Sequence, residues 1–336
     1  MQSALEKISF SAALVVFVVI ISLLLAEGLI RLFYPQNLYS FEKDLFVKSD
    51  DYGYSLTPNV EKKHSHPEYS YTIKSNSFGF RGREPDFNAD YRTLILGDSI
   101  GMGQGVGEGK NLVDLAQEYL NKQKYNIDIF NTSIAGYFGF NELNILRKFI
   151  DTYKPNSAVL LFLWNDIGMY ESLAVRNGYL VLNDRVKMGF IREWLNKYSQ
   201  LFCFIKKFYY LNIKKNGNIK DTSKGFNEAD MNIALNYITE MKKLCDQHNV
   251  FFSVLLLPNN MKSEDSGTFI NSKAMLMRKL QDNSVKYVDW AGFLPEDNRD
   301  KLVFEFDKHW TEYGHKYFSG LLIDHISDIY LTGKGR

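Results

Sequence analysis

Ala158 to Trp164 reads Ala-Val-Leu-Leu-Phe-Leu-Trp, an unbroken apolar run that stops at Asn165-Asp166. A strand with one wet face alternates apolar and polar residues. A run without polar positions predicts a strand covered on both faces, the situation of a parallel sheet between helices. Val250–Leu257 has the same character, and Leu94–Leu96, Ile127–Phe130 and Val285–Val288 are shorter versions. Between them lie segments with helical spacing: Leu112–Lys122, Asn141–Thr152 and Ala229–Gln247, with a last one over Glu312–Leu331. From Tyr91 onward this order predicts an α/β fold with a doubly wound parallel sheet, whose sites lie beyond the carboxyl ends of the strands.

Ahead of that domain, Ile8 to Ala26 carries no charge, and the apolar character continues to Phe33 before Pro35. The length matches the roughly 20 residues of a spanning helix, so residues 1–35 are expected to be an anchor that meets the membrane through residues 8–33. A cleaved signal peptide is the rival. Its small-residue positions read poorly, since Leu24 is not small and only Ala26 and Gly28 offer a pair. With Lys7 on the amino side, the expected topology is single-pass in the cytoplasmic (inner) membrane, with the domain on the extracytoplasmic or periplasmic side. Residues 36–90 are polar and Tyr-rich and read as an extended lead-in packed on the main domain of residues 91–336. In it, Tyr69–Ile73 alternates like a strand, and Asn76-Ser-Phe-Gly-Phe-Arg81 reads as a turn and an aromatic plug. Residues 168–227 break the alternation. This insertion holds a hairpin near Gly178–Leu182 and an amphipathic helix over Phe190–Tyr210, and it reads as a lid, a membrane-facing cap or decoration.

A net charge of +1 with 24% charged residues points away from nucleic acid. Cys203 and Cys245 have no metal spacing; they pair or stay as buried thiols. His64, His66, His248, His315 and His325 form no convincing metal set, and no metal or other cofactor is expected.

The chemistry gathers at strand ends. Leu94–Leu96 stops at Gly97-Asp98-Ser99, after which glycines recur at 101, 103, 105, 107 and 109. A dinucleotide fingerprint fails at Val106, where its third glycine belongs. A P-loop fails at Gln104, where its first glycine belongs, and at Asn111 after Gly109-Lys110. A serine lifted out of a sheet by a glycine turn suits a nucleophile with backbone N–H groups beside it. Such a hydroxyl needs a base, and Asp307-Lys308-His309, just before the last helix, offers a histidine with a carboxylate to orient it. Gly136, in Asn131-Thr-Ser-Ile-Ala-Gly, and the amide of Asn165 are candidate oxyanion donors beside the Ser99 N–H.

Taken in order, Gly97-Asp98-Ser99, Gly136, Asn165-Asp166 and Asp307/His309 resemble the four blocks of the SGNH/GDSL hydrolase superfamily in a membrane-anchored bacterial form, and Asn76–Arg81 resembles the lead-in of such members. The resemblance covers residues 70 to 325. It implies the flavodoxin-like SGNH sheet, Ser99 as nucleophile, His309 as base, Asp307 as its orienter, and Gly136 with Asn165 and Ser99 as oxyanion hole. It also implies an esterase acting on an O-acylated carbohydrate or glycolipid of the cell envelope. Two departures stand out. Leu163 replaces a glycine two residues before Asn165, and the last block is Asp-x-His followed by Trp310. That shorter form is similar to alginate-type polysaccharide O-acetylation proteins and brings in an O-acyltransferase alternative, with partner proteins of a polysaccharide-modifying system. A catalytically silent glycan-binding scaffold is the alternative from a different class.

Overall fold

The computed structural model describes residues 2–34, 41–66, 68–167, 173–182, 191, 194–195, 198–212, 226–258 and 267–332. In chain order these contain α1 (Gln2–Phe33), β1 (Phe46–Ser49), β2 (Gly53–Leu56), β3 (Glu61–His66), β4 (Tyr69–Lys74), β5 (Tyr91–Gly97) and α2 (Ser99–Met102). Next come α3 (Leu112–Lys122), β6 (Ile127–Asn131), α4 (Gly139–Phe149), β7 (Ser157–Phe162), β8 (Leu173–Arg176), β9 (Tyr179–Leu182) and α5 (Gln200–Asn212). The chain closes with α6 (Glu228–Gln247), β10 (Phe251–Leu256), α7 (Gly267–Asp282), β11 (Lys286–Asp289) and α8 (Glu312–Thr332). Two compact units result: residues 1–41 with 184–218, and residues 42–183 with 219–336.

The second unit is built on five parallel strands in the order β6-β5-β7-β10-β11. The chain leaves β5 for β6 on one side and returns to β7 on the other, so the strand order reverses between β5 and β7. Alternate residues of the central strands face opposite layers. Ile95, Val159, Leu161 and Leu255 pack with α3 (Leu112, Ala116, Leu120) and α8 (Phe318, Leu322, Ile326). On the other layer, Phe130 meets Phe149 of α4 with rings 5.2 Å apart, and α4 packs on α6. Each fully buried Val, Leu or Phe contributes roughly 1.5–3 kcal/mol over its exposed state. The apolar run therefore settles where both its faces are dry. It is shorter as a strand than its composition suggests, because Trp164–Asp166 turns as a 3-10 helix and Trp164 Nε1 donates to Leu257 O at 3.0 Å.

The lead-in is two antiparallel hairpins, β1–β2 and β3–β4. They are stitched to the main domain by Tyr54 Oη donating to Ala135 O (2.8 Å) and Asn141 Nδ2 to Tyr52 O (2.9 Å). Phe78 and Phe80 plug a cluster with Phe130 and Phe149. The hairpin in the insertion is β8–β9. Of the helix expected over 190–210, α5 and helical residues at 191, 194, 195 and 198 are described; residues 168–172, 183–190 and 213–225 lie outside the described residues. A further helix, α7, escaped the sequence pattern. Cys203 and Cys245 are both buried free thiols.

The glycines after Ser99 are not equivalent. A Cβ on Gly101 would lie 2.2 Å from Ser133 Oγ and 2.7 Å from Ser133 Cβ, whereas one on Gly107 would meet nothing nearer than 4.0 Å. Gly101→Ala is expected to destabilise the chain by about 1–3 kcal/mol through overpacking. Gly107→Ala should stay within about 0.5 kcal/mol of the parent. Denaturant titration of both variants measures the contrast.

Candidate active site

Ser99 opens α2 directly beyond β5, and Asp98 caps it by accepting the Ile100 N–H at 2.9 Å. The first amides of a helical turn have no partner within it, so the Ser99 N–H is available to a ligand. Ser99 itself is 8% exposed.

The histidine comes from a tight loop. Val303 bridges Trp310, and the Phe304 N–H donates to His309 O at 2.9 Å. Lys308, at φ 68°, takes the left-handed turn between Asp307 and His309, which come together. His309 Nδ1 lies 2.5 Å from Asp307 Oδ2 and Nε2 lies 2.8 Å from Ser99 Oγ. A carboxylate only accepts, so the partners assign the proton to Nδ1 and leave Nε2 to accept the serine O–H. Trp310 is not part of this surface. It is buried and stacks on Phe318 with centroids 4.1 Å apart, pinning the loop to α8.

Burial works to raise the Asp307 carboxyl, but the hydrogen bond and charge of His309, the charge of His66 and the Tyr69 hydroxyl outweigh it and hold it below the usual carboxylate range. The last two partners come from the β3–β4 hairpin, part of the lead-in of residues 36–90. Tyr69 Oη donates to Asp307 Oδ2 at 2.9 Å, and His66 Nε2 lies 3.8 Å from Oδ1. The Glu68 carboxylate accepts the N–H groups of Phe306 and Asp307 at 3.0 and 2.6 Å. Gln104 Nε2, from the glycine loop, donates to Tyr69 Oη at 3.3 Å. Arg81, the end of the aromatic plug, donates to the carbonyls of Met102, Gly103 and Val106 and to Glu108 Oε1, so it holds that loop from inside. The one sequence signal for these residues was the lead-in motif ending at Arg81; Glu68, Tyr69 and Gln104 gave none.

Asn165 follows β7, and its Nδ2 donates to Asp98 Oδ2 at 3.4 Å, the same oxygen that lies 3.5 Å from Ser99 Oγ. Gly136 sits in the turn beyond β6, beside α2, with the Ala135 N–H on Met102 Sδ at 3.4 Å. At φ 80°, with Leu173 of β8 only 2.4 Å from where a Cβ would stand, it admits no side chain. The structure thus joins Ser99, His309 and Asp307 in one hydrogen-bonded chain and ties Asn165 to them through Asp98. Gly136 is brought to the same sheet end without a bond to the other four.

Behind Asn165 lies a second acidic group. Asp98, Glu142 and Asp166 are all buried, and burial raises all three carboxyls. Glu142 is pushed further up by Asp98, and Asp166 by Glu142 and then Asp98. Glu142 and Asp166 face a small pocket, with room for about one water-sized molecule, walled by Phe138, Leu160, Phe162 and Tyr237. Glu142 Oε1 and Asp166 Oδ1 have no hydrogen-bond partner there among the described residues. These carboxyls stay protonated in the fold at pH values where free ones ionise.

No protein-family model matches the chain, and no curated protein sequence matches it. It is similar to several solved structures. A psychrotrophic esterase, EstA, from a Pseudoalteromonas species inhibited by monoethylphosphonate shares 15% identity at a TM-score of 0.42, over 74% of this chain and 100% of that one. An acetyl xylan esterase, AlAXEase, shares 12% at 0.44 (70% and 99%). A lipase/acylhydrolase from Enterococcus faecalis shares 13% at 0.43 (70% and 95%).

The raised carboxyls set a pH dependence. Above about pH 4.5 an unfolded chain loses these protons while the fold keeps them, so stability falls as pH rises, by up to about 1.4 kcal/mol per unit and per group, until the folded pKa is passed. Glu142→Gln removes one such proton uptake. Its stability relative to the parent chain is expected to rise as pH increases from about 4.5, read from thermal unfolding at each pH. A difference that stays constant as pH rises would remove the protonated-carboxyl assignment.

Proposed function

We propose that the chain is an SGNH-type serine acyl-ester hydrolase, tethered to the membrane by α1 and acting on an O-acylated carbohydrate or glycolipid of the cell envelope. The observation that carries the chemistry is His309 bridging Ser99 Oγ and Asp307 with both ring nitrogens, at 2.8 and 2.5 Å.

In this reading Ser99 Oγ attacks the acyl carbon while its proton passes to His309 Nε2, and Asp307 steadies the resulting imidazolium. The tetrahedral oxyanion takes hydrogen bonds from the Ser99 and Gly136 N–H groups and from Asn165 Nδ2. Collapse expels the sugar oxygen, which takes the proton from His309 and leaves Ser99 acylated. Water, deprotonated by the same imidazole, then releases the acid. Asp307 serves in its ionised form, and its lowered pKa keeps it so through the neutral range. A silent glycan-binding module would have no use for this connected triad.

The envelope placement is supported by Ser11–Phe33, 23 residues with an 18-residue window of mean hydropathy 2.8, none of it buried. Acyl transfer uses the same acyl-enzyme and differs only in whether a sugar hydroxyl replaces water in the second half.

Labelling with a fluorophosphonate tests the nucleophile. Native chain should react at Ser99, and Ser99→Ala and His309→Ala should lose turnover of a small acetyl ester by roughly 10³-fold or more. Tyr69→Phe removes one hydrogen bond to the ionised Asp307, worth about 1.5–3 kcal/mol, and should cost roughly 10- to 100-fold. A Ser99→Ala protein with a tenth of native activity would sink the assignment. Run with an oligosaccharide acceptor, the same assay separates free acetate from acetyl-sugar. Acetate alone supports hydrolysis, and acetylated sugar assigns the chain to transfer.

Topology is tested separately. With Lys7 on the cytoplasmic side, alkaline phosphatase fused after residue 336 should be active in a bacterial host. Activity from a cytoplasmic reporter alone at that point would reverse the placement.

A further inference from the structure

In the unit formed by residues 1–41 and 184–218, α1 meets α5 through Glu27 and Arg31 and through Tyr34, whose ring lies 6.0 Å from that of Phe204. Glu27, near the carboxyl end of α1, accepts the Ser199 hydroxyl at 2.9 Å and the N–H groups of Gln200 and Leu201 at 2.9 and 2.8 Å. It therefore caps the amino end of α5. Arg31 Nε closes on the same carboxylate at 2.7 Å, and its Nη2 donates to Tyr198 O at 2.5 Å. Charges in an otherwise apolar helix are costly in hydrocarbon unless paired. Here both charges are satisfied by each other and by the start of α5, which fastens α5 to the last turns of the apolar stretch.

What α5 turns outward is equally specific. Ile205, Phe208 and Tyr209 are each about half exposed and stand at i, i+3 and i+4, one helical face, while Cys203 is buried. Trp194 and Tyr198, in the helical turn before the cap, extend the same character, with their rings 5.9 Å apart. Lys206 follows directly in sequence. A soluble surface seldom carries so many large apolar side chains in one place. Aromatic and aliphatic side chains on one face, with lysine beside them, are the composition of helices that lie in the headgroup layer. This segment is tied to a helix whose most apolar 18-residue window holds no buried residue, so lipid is the solvent the two share.

We propose that α5, with the turn carrying Trp194 and Tyr198, lies flat in the membrane surface as an interfacial helix, its Trp194, Ile205, Phe208 and Tyr209 entering the boundary between headgroups and acyl chains. The proposal rests on α1 being a membrane anchor. It makes the insertion a second lipid contact beside the spanning helix.

The tryptophans provide the readout. Of the four, Trp164, Trp290 and Trp310 are 1–2% exposed and Trp194 is 51% exposed. The full chain is reconstituted in vesicles of phosphatidylcholine and phosphatidylglycerol carrying bromine either just below the headgroups or at the bilayer centre. Shallow bromine should quench one component of the emission more than deep bromine does, at a depth of about 5–10 Å, and Trp194→Phe should abolish that component. Replacing Ile205, Phe208 and Tyr209 together by serine should reduce the quenching of Trp194 by more than about half. A chain that floats with the vesicles while Trp194 stays unquenched overturns the interfacial helix and leaves the anchor standing. If, in addition, Ile205→Cys cross-links to a second chain, the face belongs to a copy of the protein. A chain that does not float overturns both.

Discussion

One guanidinium inside the domain links the two halves of the active site. The Arg81 side chain has no exposed surface, with Glu108 Oε1 2.9 Å from its Nε and three backbone carbonyls on its other nitrogens. A charge so fully removed from water is tolerated only with such complete pairing, and removing one partner of a buried ion pair costs on the order of 3–5 kcal/mol. The loop it fixes begins at the end of α2, which Ser99 opens, and carries Gln104. Gln104 holds Tyr69, Tyr69 holds Asp307, and Asp307 orients His309. The position of the base over the serine is thus set through a cation that never approaches either.

This dependence explains what could be read in the sequence and what could not. The sheet was legible because Ala158–Phe162 and Phe252–Leu256 satisfy one demand, burial on both faces, that composition alone expresses. Ser99, Gly136, Asn165, Asp307 and His309 were legible because their residue types and order are dictated by chemistry at strand ends. Glu68, Tyr69 and Gln104 were not. Their roles depend on a hairpin tip meeting a loop 238 residues away, and nothing in the local pattern of either segment records the other. Trp310 shows the opposite case. In the sequence it stands only as the residue following the Asp-x-His block, and stacking on Phe318 makes it a core residue. The α7 helix went unread although Phe269, Leu276 and Leu280, which it buries, stand at helical spacing.

The carboxyls of the site fall into two groups by surroundings alone. Asp307 gathers an imidazole, a phenol and the charge of a second histidine, and is held ionised. Glu142 and Asp166 gather phenyl rings and one another, and are held protonated. Asp98 stands between the two groups. Separation of this kind lets one small volume contain a fixed negative charge for the imidazolium without adding like charges nearby to compete with it.

The meeting of Tyr69 with Asp307 also has a consequence in time. At synthesis rates of about 5–20 residues per second, the hairpin waits roughly 10–50 seconds for the loop that completes it. The sheet strands β5, β6, β7 and β10 all emerge in that interval, so the nascent chain can hold most of its core while the serine has no base. Closing so long a loop carries a large entropic cost before any contact offsets it. The histidine loop is therefore among the last parts to settle, and an incomplete chain carries its nucleophile in an unarmed state.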